Sequence, residues 1–77
     1  MKIEVLGTGC PKCLKTEQVI REVLEEMGLQ AEVVKVTDID DIVARGVMIT
    51  PAVVIDDNKV LEGKIPGKNE VESWLGK

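Results

Sequence analysis

The sequence predicts an α/β domain with the element order β-α-β-α-β-β-α, a four-stranded mixed sheet carrying three helices. Three observations carry that expectation. Short β-branched runs alternate with stretches whose apolar residues recur at three- and four-residue intervals, so period 2 and period 3.6 take turns along the chain. The first two runs lie far enough apart for a helical crossover, which makes them parallel. The last two are joined by Asp56-Asp57-Asn58, a turn, which makes them antiparallel. The 77 residues are read as one domain over 1–77 with a single core and little spare stability, because a chain of this size buries only about 60% of its unfolded surface.

Residues 2 to 6 form the first strand through Ile3, Val5 and Leu6, and Gly7-Thr8-Gly9 ends it with glycines that tolerate unusual backbone angles. Pro11 suits a first helical position, where its missing N–H is no loss. From Cys13 the apolar residues Ile20, Val23, Leu24 and Met27 follow at helical spacing, and Gly28 closes the helix as a C′ residue. Lys15, Gln18, Arg21, Glu22 and Glu25 take the opposite side of the wheel, so Cys13 faces inward and Cys10 stands at the helix mouth. The β-branched run 31–36 is the second strand. A short helix over 38–45 follows, capped by Thr37 or Asp38, with Asp40 and Asp41 at its positive end, Ile39, Ile42 and Val43 as its apolar side, and Gly46 as its stop. Pro51 to Ile55 and Lys59 to Glu62 make the hairpin, Gly63 to Gly67 a loop, and Val71, Trp74 and Leu75 the inner side of a last helix.

Composition excludes several kinds of chemistry. The chain has no histidine, which removes Ser-His-Asp and Cys-His catalytic pairs and every His-containing zinc site. It has no phenylalanine or tyrosine, its one aromatic is Trp74, and its net charge is −4. A stacking platform and a basic groove are both missing, so neither nucleic acid nor an anionic membrane is expected as a partner. The N-terminal apolar stretch is broken by Glu4 and too short for a signal peptide or a membrane span, and a cytoplasmic location is expected.

The unusual feature is the pair Cys10 and Cys13. A bridge across two intervening residues restrains the unfolded chain little, so a structural staple does not explain the spacing. Two cysteines placed at random in this length would fall so roughly once in forty arrangements. Thiol exchange does explain it. The thiolate is the reactive form, and a helix N-terminus lowers a thiol pKa through unpaired N–H groups and the helix dipole. Cys10 is therefore read as the nucleophile and Cys13, buried three residues on, as the resolving thiol. Pro11 stiffens the intervening loop, and Lys12 is expected to lower the Cys10 pKa by its charge.

The run Gly7-Thr8-Gly9-Cys10-Pro11-Lys12-Cys13 after a first strand, with Thr50-Pro51 opening the third, resembles the small thioredoxin-like, redox-active disulfide proteins of archaea and bacteria, within the thioredoxin and glutaredoxin superfamily. The resemblance spans the whole chain. It implies a minimal thioredoxin fold and a thiol-disulfide oxidoreductase that reduces protein disulfides without a cofactor or bound metal, as a monomer. It also implies disulfide-containing target proteins and an electron donor of thioredoxin-reductase type. In that family the matching proline is cis and lies opposite the first cysteine, so that the residue before it, here Thr50, offers its backbone to an extended substrate. The alternative for Pro51 is simply the start of a strand. Glu4 stands six residues before Cys10, where thioredoxins carry a buried acid that assists proton transfer; buried, it should have a raised pKa, and on a solvated face it would have no such role. Gly9 replaces the tryptophan of thioredoxins and Lys12 the tyrosine of many glutaredoxins, and the loop 63–67 lacks the glutaredoxin Gly-Gly-acid pattern, so protein disulfides are preferred over glutathione as substrates. Met48 and Ile49 are read either as an apolar contact patch or as core filling.

A soft-metal carrier is the competing function, since copper carriers hold their metal at Cys-x-x-Cys between a first strand and a first helix. Their order is β-α-β-β-α-β, however, whereas here the second helix precedes the hairpin.

Overall fold

A computed structural model describes residues 1–76. Its elements run β1 (Lys2–Leu6), α1 (Pro11–Met27), β2 (Glu32–Val36), α2 (Ile39–Ala44), β3 (Ala52–Ile55), β4 (Asn58–Glu62) and α3 (Lys68–Leu75). This is the expected order, with strand and helix ends within one residue of expectation. The sheet order is β2-β1-β3-β4. β1 pairs in parallel with β2 from Lys2 opposite Glu32 to Leu6 opposite Val36, and antiparallel with β3 from Ile3 opposite Ile55 to Leu6 opposite Ala52. The β3–β4 hairpin is antiparallel, with a register irregularity between Val53 and Val54. Asp56 and Asp57 hold positive φ angles of 48° and 71°, the twist a two-residue hairpin turn requires.

Strand alternation sorts the core into two layers. On one face Ile3, Val5 and Val53 pack with Val19, Ile20, Val23 and Leu24 of α1 and Val71 and Leu75 of α3. On the other, Leu6, Ala52 and Val54 pack with Ile42 of α2 and Val47, and the half-buried Val36 of β2 lies against them. α1 forms as its sequence dictates. Pro11 begins it, and Gly28, in the left-handed region at φ 67°, ends it, with its N–H and that of Leu29 turned back to carbonyls of the last turn. Asp38, rather than Thr37, caps α2 by accepting from the Asp40 N–H at 2.8 Å.

Three expected core residues are instead exposed. Ile39 and Val43 lie outward because a helix of six residues presents only one apolar position, Ile42, to the sheet. Met27 falls in the last turn of α1, past the packed part of the core. Trp74 is half-buried and closes the rim of the α1–α3 layer.

Candidate active site

Cys10 is the N-cap of α1, with extended backbone at φ −68° and ψ 162°. Its Sγ accepts from the backbone N–H of Cys13 at 3.3 Å, taking the place that a Ser or Asp oxygen fills in an ordinary cap. Cys10 is half-buried and Cys13 buried, and both are free thiols. The two titrate in opposite directions. The Cys13 thiol beside Cys10 lowers the Cys10 pKa by hydrogen bonding to its sulfur, and the N–H groups of Cys13, Lys12 and Cys10 itself add to that. Burial pushes Cys13 up, and the hydrogen bond to Cys10 and the repulsion between the two sulfurs push it further. The pair thus favours a thiolate on Cys10 and a thiol on Cys13. Lys12 contributes through its main-chain N–H, while its side chain stands in solvent and makes no hydrogen bond or ion pair among the described residues.

Gly7 sets the floor beneath Cys13. A Cβ at Gly7 would stand 2.2 Å from Cys13 Sγ and 3.7 Å from Thr50 Cβ. The end of β1, the first turn of α1 and the segment before β3 therefore converge on one spot. Gly7 is needed there for closeness of approach, whereas Gly9, two residues on, is the one of this pair with positive φ, at 89°. The Thr50-Pro51 peptide is cis, as the resemblance implied, and Pro51 is buried. Gly63 N–H donates to the Pro51 carbonyl at 2.8 Å, and among the described residues neither the amide nor the carbonyl of Thr50 has a hydrogen-bond partner. A pocket of about 50 Å³ opens beside Cys13, lined by Val5, Gly7, Leu14, Lys35 and Thr37 among others, and is wide enough for water to reach the buried thiol.

Comparison with known proteins identifies the family of the chain as a whole. The thioredoxin domain family matches residues 1–76. The chain belongs to the thioredoxin family. It is 48% identical over 73 residues to a thioredoxin of Methanocaldococcus jannaschii, covering 95% of this chain and 84% of that one. It is 33% identical over 75 residues to a thioredoxin of Methanothermobacter thermautotrophicus, covering 97% of each. As a member of the thioredoxin family the chain is a thiol-disulfide oxidoreductase, and the observed β-α-β-α-β-β-α order is a minimal thioredoxin fold.

The Glu4 expectation requires a correction. Glu4 is buried, 3% exposed, but its carboxyl is not raised. The Arg45 guanidinium grips both oxygens, at 2.6 Å from Nη1 to Oε1 and 2.5 Å from Nη2 to Oε2, and holds the pKa below the usual carboxylate range against the opposing effect of burial. Glu4 is thus an ionised, paired carboxylate on the α2 side of the sheet, and among the described residues no hydrogen bond joins it to either cysteine. Arg45 escaped the sequence reading because it lies 41 residues from Glu4, and the spacing of apolar residues does not show which distant charge a helix-end arginine meets. Thr16, fully buried one turn past Lys12, was also missed; its hydroxyl donates to the Lys12 carbonyl at 2.8 Å and ties down the first turn of α1. Met48 and Ile49 are 91% and 61% exposed, so core filling is excluded for both.

Proposed function

We propose that the chain, acting as a single domain over 1–77, reduces protein disulfides through the Cys10/Cys13 couple. The observation that carries the reading is the Cys10 sulfur in the N-cap position, hydrogen-bonded by Cys13, with the second thiol buried behind it. The Cys10 thiolate attacks one sulfur of a target disulfide, the target S–S bond breaks, and its other sulfur leaves as a thiolate that takes a proton from water. Cys13 then loses its proton and attacks Cys10 Sγ. An intramolecular disulfide forms and the second target thiolate is released, so that the target gains two electrons and the chain loses them.

The timing of the second step follows from what raises Cys13. While Cys10 is a thiolate, its hydrogen bond and its charge both hold the proton on Cys13. Once Cys10 is in a mixed disulfide neither remains, and burial alone opposes ionisation. The resolving thiol is thereby held back more strongly before the attack than after it, although burial, the largest of the three effects, persists. This reading takes the proton to water at the pocket beside Cys13 and needs no acid or base from Glu4, which is held by Arg45. Thr50, with its backbone groups unpartnered beside the pair, would pair with an extended stretch of the target as an added strand. A dithiol donor of thioredoxin-reductase type would return the electrons, in a monomeric cytoplasmic carrier serving electron transport and cell redox homeostasis.

The test equilibrates the protein in defined thiol–disulfide buffers and reads the redox state by mass after alkylation. A reversible two-electron couple between about −180 and −300 mV is expected. Cys13→Ser should accumulate the mixed disulfide with a protein target, and Cys10→Ser should form none. A Cys10→Ser protein that still traps target would reverse the assignment of roles, and the lack of any reversible couple would sink the reading.

A further inference from the structure

Glu62 ends β4 and turns its carboxylate toward the segment that leads into Thr50. Oε2 accepts from the backbone N–H of Met48 at 2.8 Å and of Ile49 at 3.3 Å, while Lys59 Nζ donates to Oε1 at 2.7 Å. These donors, Lys59 first, hold the carboxyl at about 2, so it is ionised throughout the neutral range. The side chains of Met48 and Ile49 are mostly in solvent, so little apolar packing fixes this stretch. Its anchorage is the carboxylate. The next residue of the chain anchors the other side: Gly63 N–H holds the Pro51 carbonyl at 2.8 Å, and Gly63 itself lies so close that a Cβ there would be 3.0 Å from Ile49 Cγ2. Glu62 and Gly63 therefore fasten the chain before and after Thr50, whose own amide and carbonyl are left without partners among the described residues.

We propose that Glu62 is a positioning residue for substrate recognition, setting the Thr50 backbone so that it can pair with an extended polypeptide and favouring protein disulfides over small ones. This rests on the reading of the Cys10/Cys13 couple given above. Glu62 touches neither sulfur in the structure, so its effect falls on binding of a polypeptide and not on the thiol itself. A two-amide anchor to a carboxylate is also stronger than neutral hydrogen bonding, which suits a segment that must keep its shape while unpaired.

The experiment compares wild type, Glu62→Ala and Glu62→Gln on a protein disulfide and on a small aromatic disulfide, alongside Cys10 alkylation against pH and amide hydrogen exchange of Met48 and Ile49. Glu62→Ala should lower the ratio of kcat/KM for the protein over the small disulfide by about fivefold, the size of one lost hydrogen bond, through KM and not kcat. Exchange at Met48 and Ile49 should quicken, and the Cys10 alkylation curve should stay in place. Glu62→Gln, which keeps one acceptor oxygen, should fall between, and it decides the matter if Glu62→Ala does not fold. Equal losses on both substrates, a displaced alkylation curve, or an unchanged ratio would each overturn the positioning role while leaving the redox reading intact. A wild-type chain unable to reduce the protein disulfide would instead overturn the redox reading itself.

Discussion

The two faces of the sheet are built to different standards. The face under α1 and α3 is a continuous apolar layer in which Ile3, Ile20, Val23, Val53 and Val71 are fully buried. The face under α2 has five buried apolar residues, a six-residue helix with two aliphatic side chains in solvent, and a buried carboxylate, Glu4, paired with the partly exposed Arg45. Cys13 hangs from the first helix of the thick layer, whereas the segment leading to Thr50 leaves from the thin one. The active site is the seam between them. A rigid side can keep one thiol buried at a fixed distance from the helix mouth, while a lightly packed side can present unpaired backbone to a large substrate.

The largest effect should come from testing the two layers against each other. Ile20→Ala removes a fully buried side chain from the thick layer and should cost about 3–4 kcal/mol, whereas Ile42→Ala on the thin side should cost about 2 kcal/mol or less because α2 can settle into the space. Urea denaturation of the two variants measures the difference. Equal losses would mean that α2 is as firmly packed as α1, and the contrast would fail.

Gly7→Ala probes the seam itself. With a methyl 2.2 Å from Cys13 Sγ and 3.1 Å from its Cβ, the buried thiol must leave the position in which it faces Cys10. The hydrogen bond that contributes most to lowering the Cys10 pKa is then weakened, so that pKa should climb toward the ordinary thiol value. Reduction of a protein disulfide near neutral pH should fall by about tenfold, a loss in keeping with the usual penalty for overpacking. Alkylation of Cys10 followed from pH 5 to 9 distinguishes this from simple unfolding, which would expose both thiols together.

Arg45→Ala addresses the thin face alone. It strips a buried carboxylate of its partner, so stability at pH 7 should drop, though less than for Ile20→Ala because Arg45 is partly in water. The sign with pH is fixed by the direction of the Glu4 shift. A carboxyl held below its unfolded value stabilises the fold above that value and loses the contribution as pH falls through the folded one. The gap between wild type and variant should therefore be complete at neutral pH and close in acid. The alkylation curves of both cysteines should be unmoved, and a displaced Cys13 curve would tie Glu4 to the thiol chemistry after all.

What the sequence made legible follows the same division. α1 could be read in full because Pro11, the apolar spacing and Gly28 are all local signals, and the inward turn of Cys13 came with them. α2 was found, but Ile39 and Val43 were placed in the core, since a six-residue helix is too short for spacing to say which apolar residue meets the sheet. The contacts that shape the seam join distant positions: Arg45 reaches back 41 residues to Glu4, and Glu62 reaches back 13 and 14 residues to Ile49 and Met48. Neither has a periodicity to give it away. Gly7 was noticed for backbone freedom, whereas its necessity lies in a contact with Cys13 that only the tertiary structure creates.

The smallest effect should come from Lys12→Gln. A lysine in the second position of the loop invites an electrostatic reading, but the Lys12 side chain is in solvent, and its charge is screened within about 8–10 Å at ordinary ionic strength. The causes that lower the Cys10 pKa are the Cys13 thiol and main-chain N–H groups, which glutamine at position 12 leaves in place. The Cys10 alkylation curve of Lys12→Gln should therefore shift by no more than about 0.3 unit, the scale of a weak exposed charge interaction. It should also hold its position between low and high salt, because a hydrogen bond from a fixed donor is not screened as a distant charge is. A shift of about one unit that fades as salt is added would return the role to the ammonium. Without it, activation of Cys10 belongs to the helix mouth and the partner thiol.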